Sequence, residues 1–195
     1  PRLVNLNLNT VLIPIYWELL EPEEGKFDYS LVDALILEAR KHDLKLVVLW
    51  FGSWKNSMSS HVPAWVKLDQ ETYPRAISAS GESQEILSPF SENNLNADLN
   101  AYRNLLRHIK EVDSLHHTVI LMQPENEIGM LPSARDYHPL ANESFSKNVP
   151  GELMDYLMKH KETLAPEFNE VWKKNGYKTK GSWEEIFGPG LHTDE

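Results

Sequence analysis

Three short apolar runs rich in β-branched residues constrain this chain more than any other feature: Thr10 to Trp17 (TVLIPIYW), Lys45 to Phe51 (KLVVLWF) and Thr118 to Gln123 (TVILMQ). Each is apolar on both faces, the pattern of strands covered on both sides in a parallel sheet. Between the first two lies a helical period that puts Leu31, Val32, Leu35, Ile36 and Ala39 on one face. Asp28 or Ser30 can cap it, and Arg40, Lys41 and His42 suit its C-terminal end. After Phe51 comes a polar and aromatic excursion to about residue 92. The stretch Asn93 to Val112 then reads as a second helix with Leu95, Leu99, Tyr102, Leu105, Leu106 and Ile109 inward. Strand, helix, strand, helix, strand is the order of crossover units, so the predicted class is α/β with a parallel sheet. The carboxyl ends at Trp17, Phe51 and Gln123 are expected to open on one common face. Pro14 has no N–H for the ladder and predicts a bulge or weak pairing.

No strand is expected beyond Gln123. Pro150 and Pro166 stand as first-turn prolines of helices near 151–161 and 166–175, Gly176 is a natural stop, and Ser182 can cap a short helix through Phe187. Three strands cannot close a barrel, and an eight-stranded α/β barrel takes roughly 250 residues. The 195 residues suit a single domain. The opening at Pro1, inside an apolar pattern of Leu3, Val4, Leu6 and Leu8 and without Met, points to processing or truncation.

Composition excludes several kinds of function. Nineteen Lys and Arg against 29 Asp and Glu leave a net charge of −10 with scattered basic residues. That disfavours nucleic acid and anionic membranes as partners. The absence of cysteine removes disulfides, thiolate metal sites and Cys nucleophiles together. No apolar run approaches the ~18–20 residues that span a bilayer.

The chemistry concentrates in Gln123-Pro124-Glu125-Asn126-Glu127-Ile128-Gly129, at the end of the third run, where ligand sites of parallel sheets lie. A carboxylic acid beside a carboxamide suits glycosidic cleavage, one protonating the leaving oxygen while the other holds a sugar hydroxyl. The same residues suit a capped loop closed by a glycine turn. Trp17, Trp50, Trp54 and Trp65 fall in or just after strand ends, where aromatic faces can stack on a pyranose. Core packing competes for Trp17 and Trp50, Trp54 favours a pocket, and Trp65 reads as the anchor of a loop helix. His116-His117 has no third ligand at a recognisable spacing, so no metal site is expected. His61, in the polar loop before Pro63, could line the pocket but reads more readily as a surface residue, and Glu21 reads as half of a structural ion pair. Gly188-Pro189-Gly190 has no phosphate-binding context.

Three segments, in order, carry a family resemblance. Tyr16 to Tyr29 (YWELLEPEEGKFDY) is similar to the segment after the second barrel strand of glycoside hydrolase families 35 and 42, which are mostly β-galactosidases. Val62-Pro63-Ala64-Trp65-Val66 resembles their Pro-x-Trp-Leu element after the third strand. Gln123 to Gly129 resembles the Gln-x-Glu-Asn-Glu-x-Gly motif of the fourth, and because Glu125 and Gly129 also match, family 35 looks slightly closer.

The resemblance implies that residues 1–195 form a single partial (β/α)8 TIM-barrel domain covering about strands 2–4. It implies the amino-terminal part of a retaining glycosidase acting on terminal β-galactosides, with a galactoside or oligosaccharide as partner, no cofactor, and secretion or a periplasmic location favoured. Glu127 becomes the general acid/base and Asn126 the partner of the sugar 2-hydroxyl. Glu125, Trp54, Trp17 and Asn56 complete the substrate-binding set, Asn56 falling near the place where a family 35 loop commonly carries a sugar-reaching Glu. Retention requires a second carboxylate about 5–5.5 Å from the first. In these enzymes it comes from the seventh strand, which this chain does not reach. Glu143, Glu152, Glu184 and Glu185 lie on expected loops or helices and are poor substitutes, so the chain alone is expected to be silent. The rival reading is a carbohydrate-binding barrel protein without the catalytic pair.

Overall fold

The computed structural model describes residues 6–56, 58–129, 133 and 135–188. Leu3, Val4, Pro189 and Gly190 lie outside the described residues. The described chain falls into two compact units, the first within residues 1–75 and 84–128, the second within 76–83 and 129–195.

The first unit contains strands β1 (Thr10–Tyr16), β2 (Lys45–Phe51) and β5 (Val119–Pro124), which form one parallel sheet in the order β1-β2-β5. The expected α/β class and common strand direction are what the structure has. Pro14 makes no bulge: it stands opposite Leu49 in unbroken register. β1 is an outer strand of this sheet, and an outer strand tolerates a residue with no N–H to donate. The irregularity lies instead between Leu46 and Val47, where the partners jump from Val119 to Leu121. The extra residue, Ile120, resets the side-chain alternation of β5. Val119 and Met122 therefore both pack into the core, although three residues apart on a regular strand would face oppositely.

Helices α1 (Trp17–Leu20), α2 (Ser30–Lys41), α3 (Ala64–Leu68) and α4 (Glu92–Asp113) belong to this unit. Val32, Ile36 and Ala39 of α2 and Ala101, Leu105 and Ile109 of α4 join Ile15, Leu46, Val48 and Trp50 in one core. The α2 cap is Tyr29 by position, while the Asp28 carboxylate accepts the Ser30 N–H at 2.9 Å. In α4 Leu105, Ile109 and Tyr102 face the core as expected, and the other expected positions do not. Its buried row is Asn94, Ala101, Leu105, Ile109 and Asp113, and Leu95, Leu99 and Leu106 are exposed. Hydrogen bonds offset most of the cost of polar side chains in an inward row, although Asn94 Oδ1 is buried without a partner. Asn94 Nδ2 donates to the carbonyls of Pro74 and Ser88, and Asp113 is held by Arg40 and by the Val119 N–H.

The excursion after Phe51 contains two short strands not foreseen, β3 (Arg75–Ile77) and β4 (Ser83–Leu87), paired with each other. In the second unit, α5 (Pro139–Ser146), α6 (Gly151–Lys159), α7 (Pro166–Lys174) and α8 (Trp183–Phe187) follow, with Val149, Met154, Leu157, Trp172 and Ile186 as its core. Pro166 and Ser182 act as expected, and Ser182 and Glu185 form a reciprocal capping box. Among the described residues no helix is long and apolar enough to cross a membrane.

Candidate active site

The carboxyl ends of β2 and β5 lie side by side, and the Glu125 N–H continues the ladder by donating to the Trp50 carbonyl at 3.0 Å. Beyond it the backbone departs from strand geometry. Glu125 (φ 57°) and Glu127 (φ 45°) both adopt the left-handed region, flanking Asn126. Each such residue other than glycine costs on the order of 1 kcal/mol, so surrounding contacts must hold it there.

Those contacts are on the page. Asn126 donates its N–H to the Trp54 carbonyl at 3.3 Å and its Nδ2 to the Lys55 carbonyl at 3.0 Å, and its Oδ1 accepts from Gln123 Nε2 at 3.0 Å. Glu125 Oε2 accepts the Trp54 N–H at 2.8 Å. Beside it, Asp98 of α4 accepts from Trp50 Nε1 at 2.7 Å and from the Ser53 N–H at 2.8 Å. Burial, then the charge and hydrogen bond of Asp98, push the Glu125 carboxyl far above the ordinary carboxyl range. The N–H groups of Trp54 and Gly52 act in the opposite direction without cancelling this. Burial and the neighbouring Asp98 thus both favour the protonated form of Glu125.

Glu127 itself is exposed, one residue beyond the fixed carboxamide. An exposed carboxyl beside an immobilised carboxamide, at the end of a parallel sheet, can offer a proton and a hydrogen bond to one bound sugar.

The remaining sequence candidates are distributed differently from expectation. Trp17 is fully buried, 0% exposed, and its Nε1 donates to Glu21 Oε2 at 2.8 Å. It belongs to the core and cannot stack on a sugar from there. Trp54 is 8% exposed, and its ring lines an apolar pocket of about 280 Å³ with Trp50, Leu87, Leu99, Tyr102 and Pro124. Trp54 thus stands at a pocket, as its polar neighbours led one to expect. Asn56 Oδ1 accepts from the Met58 N–H and Ser59 Oγ, both at 3.0 Å, and so organises its own turn. Glu21 is structural, as expected, but through hydrogen bonds from Trp17 and the Gly25 N–H rather than an ion pair. Trp65 sits in α3, edge-on to Trp17 and Tyr73.

Two further residues act at this end of the sheet in ways the sequence did not specify. His61 packs on Tyr16 (4.5 Å between ring centres) and Phe51, with Nδ1 2.9 Å from Glu18 Oε1, and so bridges the ends of β1 and β2. Its neighbours Ser60 and Val62 gave no hint of this. Asp98 was hidden because the apolar pattern of α4 placed Leu95 and Leu99, rather than Asn94, on the inward face. A signal existed: it stands four residues after Asn94 and three before Ala101, in the row that proves to be inward.

The family model of glycoside hydrolase family 42, described as β-galactosidase, matches residues 2–195. Family 35, expected to be slightly closer, is not supported. No curated protein matches the sequence. Among solved structures, a β-galactosidase of the Antarctic haloarchaeon Halorubrum lacusprofundi is 21% identical with a TM-score of 0.55, over 95% of this chain and 26% of its own. One from the psychrophilic Marinomonas ef1 is 16% identical with a TM-score of 0.57, over 97% and 27%. One from Rahnella sp. R3 is 18% identical with a TM-score of 0.52, over 91% and 23%. These likenesses concern the fold: the chain is an α/β piece like the amino-terminal part of TIM-barrel β-galactosidases. It spans about a quarter of the length of those structures.

Proposed function

The chain belongs to glycoside hydrolase family 42, and from that premise we propose that it carries the acid/base half of a retaining β-galactosidase site. Residues 1–195 are read as one piece of a single catalytic barrel domain, which the family match over residues 2–195 supports. The observation that carries the mechanism is the pairing of an exposed Glu127 with an Asn126 fixed through its backbone and both ends of its side chain. Glu127 gives its proton to the glycosidic oxygen as the C1–O bond breaks, and a carboxylate from elsewhere in the protein takes C1. The Glu127 carboxylate then removes a proton from the water that displaces this ester. Asn126 holds the 2-hydroxyl, where hydrogen bonds strengthen in the transition state.

Family membership does not favour the rival reading of an inactive sugar-binding barrel. Hydrolysis of lactose by the protein carrying this chain, and its loss in Glu127→Gln, tests the proposal. A Glu127→Gln protein as active as the parent on lactose would overturn it.

A further inference from the structure

Asp98 and Glu125 come from α4 and from the turn after β5, yet they grip two consecutive residues of the loop after β2. Asp98 Oδ2 takes the Ser53 N–H and Glu125 Oε2 the Trp54 N–H, each at 2.8 Å, so consecutive amides are bound by adjacent carboxyls. Asp98 Oδ1 is further anchored by Trp50 Nε1, which is buried. Neighbouring carboxyls disfavour double ionisation, and one proton between them turns repulsion into a hydrogen bond. The clasped loop is the same one whose Trp54 and Lys55 carbonyls hold Asn126.

We propose that Asp98 and Glu125 form a proton-sharing clasp that positions Asn126 and Glu127 by fixing the loop Gly52–Lys55, with Glu125 acting through this loop rather than on the sugar. The role in turnover rests on the galactosidase reading; the clasp does not. Burial of Glu125 and the neighbouring Asp98 charge favour the protonated form the clasp requires. A neutral Glu125 has the shape and bonding of glutamine: a carbonyl to accept from Trp54 and a donor for Asp98. The clasp therefore distinguishes two variants. Glu125→Gln keeps it, and Glu125→Ala breaks it.

The test is amide hydrogen exchange, read by NMR on the whole chain without substrate. The Ser53 and Trp54 amides should exchange roughly tenfold or more faster in Glu125→Ala and Asp98→Ala, while Val48 in β2 is unchanged and Glu125→Gln matches the parent. Should Glu125→Ala fail to fold, the Glu125→Gln comparison decides alone. Faster exchange at Ser53 and Trp54 in Glu125→Gln, or unchanged exchange in a folded Glu125→Ala, overturns the proposal. If the parent hydrolyses galactosides, Glu125→Ala should lower kcat more than it changes KM, and Glu125→Gln should restore most of kcat. A parent without that activity removes the catalytic reading and leaves the exchange result to stand by itself.

Discussion

Gly52 and Asp98 touch so closely that no side chain fits between them: a Cβ on Gly52 would lie 2.6 Å from Asp98 Oδ2 and 2.7 Å from Oδ1. Trp50 Nε1 would also lie 2.7 Å away. Relief would require Asp98 to withdraw from the indole and the Ser53 amide that it binds. Gly52→Ala should therefore destabilise the fold by about 1–3 kcal/mol, the cost of overpacking with a broken buried bond. Denaturant unfolding measures it, and a change under 0.5 kcal/mol would show that Asp98 moves freely.

Trp17 and Glu21 make a similar test in the core. Trp17→Phe removes the Nε1–H that Glu21 Oε2 accepts, leaving the Gly25 N–H as the bond on the other oxygen. Glu21 is 2% exposed, so the unpaired oxygen has no access to bulk water. A loss of about 1–3 kcal/mol is expected on unfolding in urea. Equal stability of the two proteins would mean that the indole bond contributes nothing.

Asp113 joins α4 to α2 and to the start of β5. Burial works upward on its carboxyl but is outweighed by hydrogen bonds from Arg40, Val119 and Thr118, which hold it at about 2. A carboxyl lowered in the folded state stabilises above the unfolded value of about 3.9 and loses that contribution as pH falls through the folded one. The stability advantage of the parent over Asp113→Asn should shrink by on the order of 2 kcal/mol between about pH 5 and about pH 2. An advantage constant across that range would contradict the assignment.

For Glu127, the proposed acid role predicts dependence on the leaving group. In the protein that carries this chain, Glu127→Gln should slow galactosides with alkyl or sugar leaving groups by roughly 10²–10⁴-fold, while the first step on activated aryl galactosides, which need little protonation, is largely spared. Steady-state and pre-steady-state rates on both classes check it. Equal losses on the two classes would assign Glu127 to something other than proton donation.

What could be read without coordinates was local. β2 has the expected ends, Lys45 and Phe51, because a β-branched apolar run bounded by polar residues carries its own signal. Ser182 and Glu185 cap α8 across three residues, a distance that any sequence displays. The motif at Gln123 to Gly129 was visible as composition at a strand end. What tertiary structure alone decided were pairings between distant segments. Ile120 becomes a bulge only because β2 sets the register of β5, and the apolar letters of TVILMQ are silent about it. The α4 face is set in part by bonds from Asn94 to Pro74 and Ser88 and from Trp50 to Asp98, so counting apolar letters placed Leu105, Ile109 and Tyr102 correctly but not Leu95, Leu99 and Leu106. Trp17, inside an apolar run, and Trp54, among Ser, Lys and Asn, already differ in sequence. Whether each meets solvent depends on what packs over it, and that is fixed by α3, α4 and the loop between β2 and α3, whose places follow from burial and hydrogen bonding summed over the whole unit.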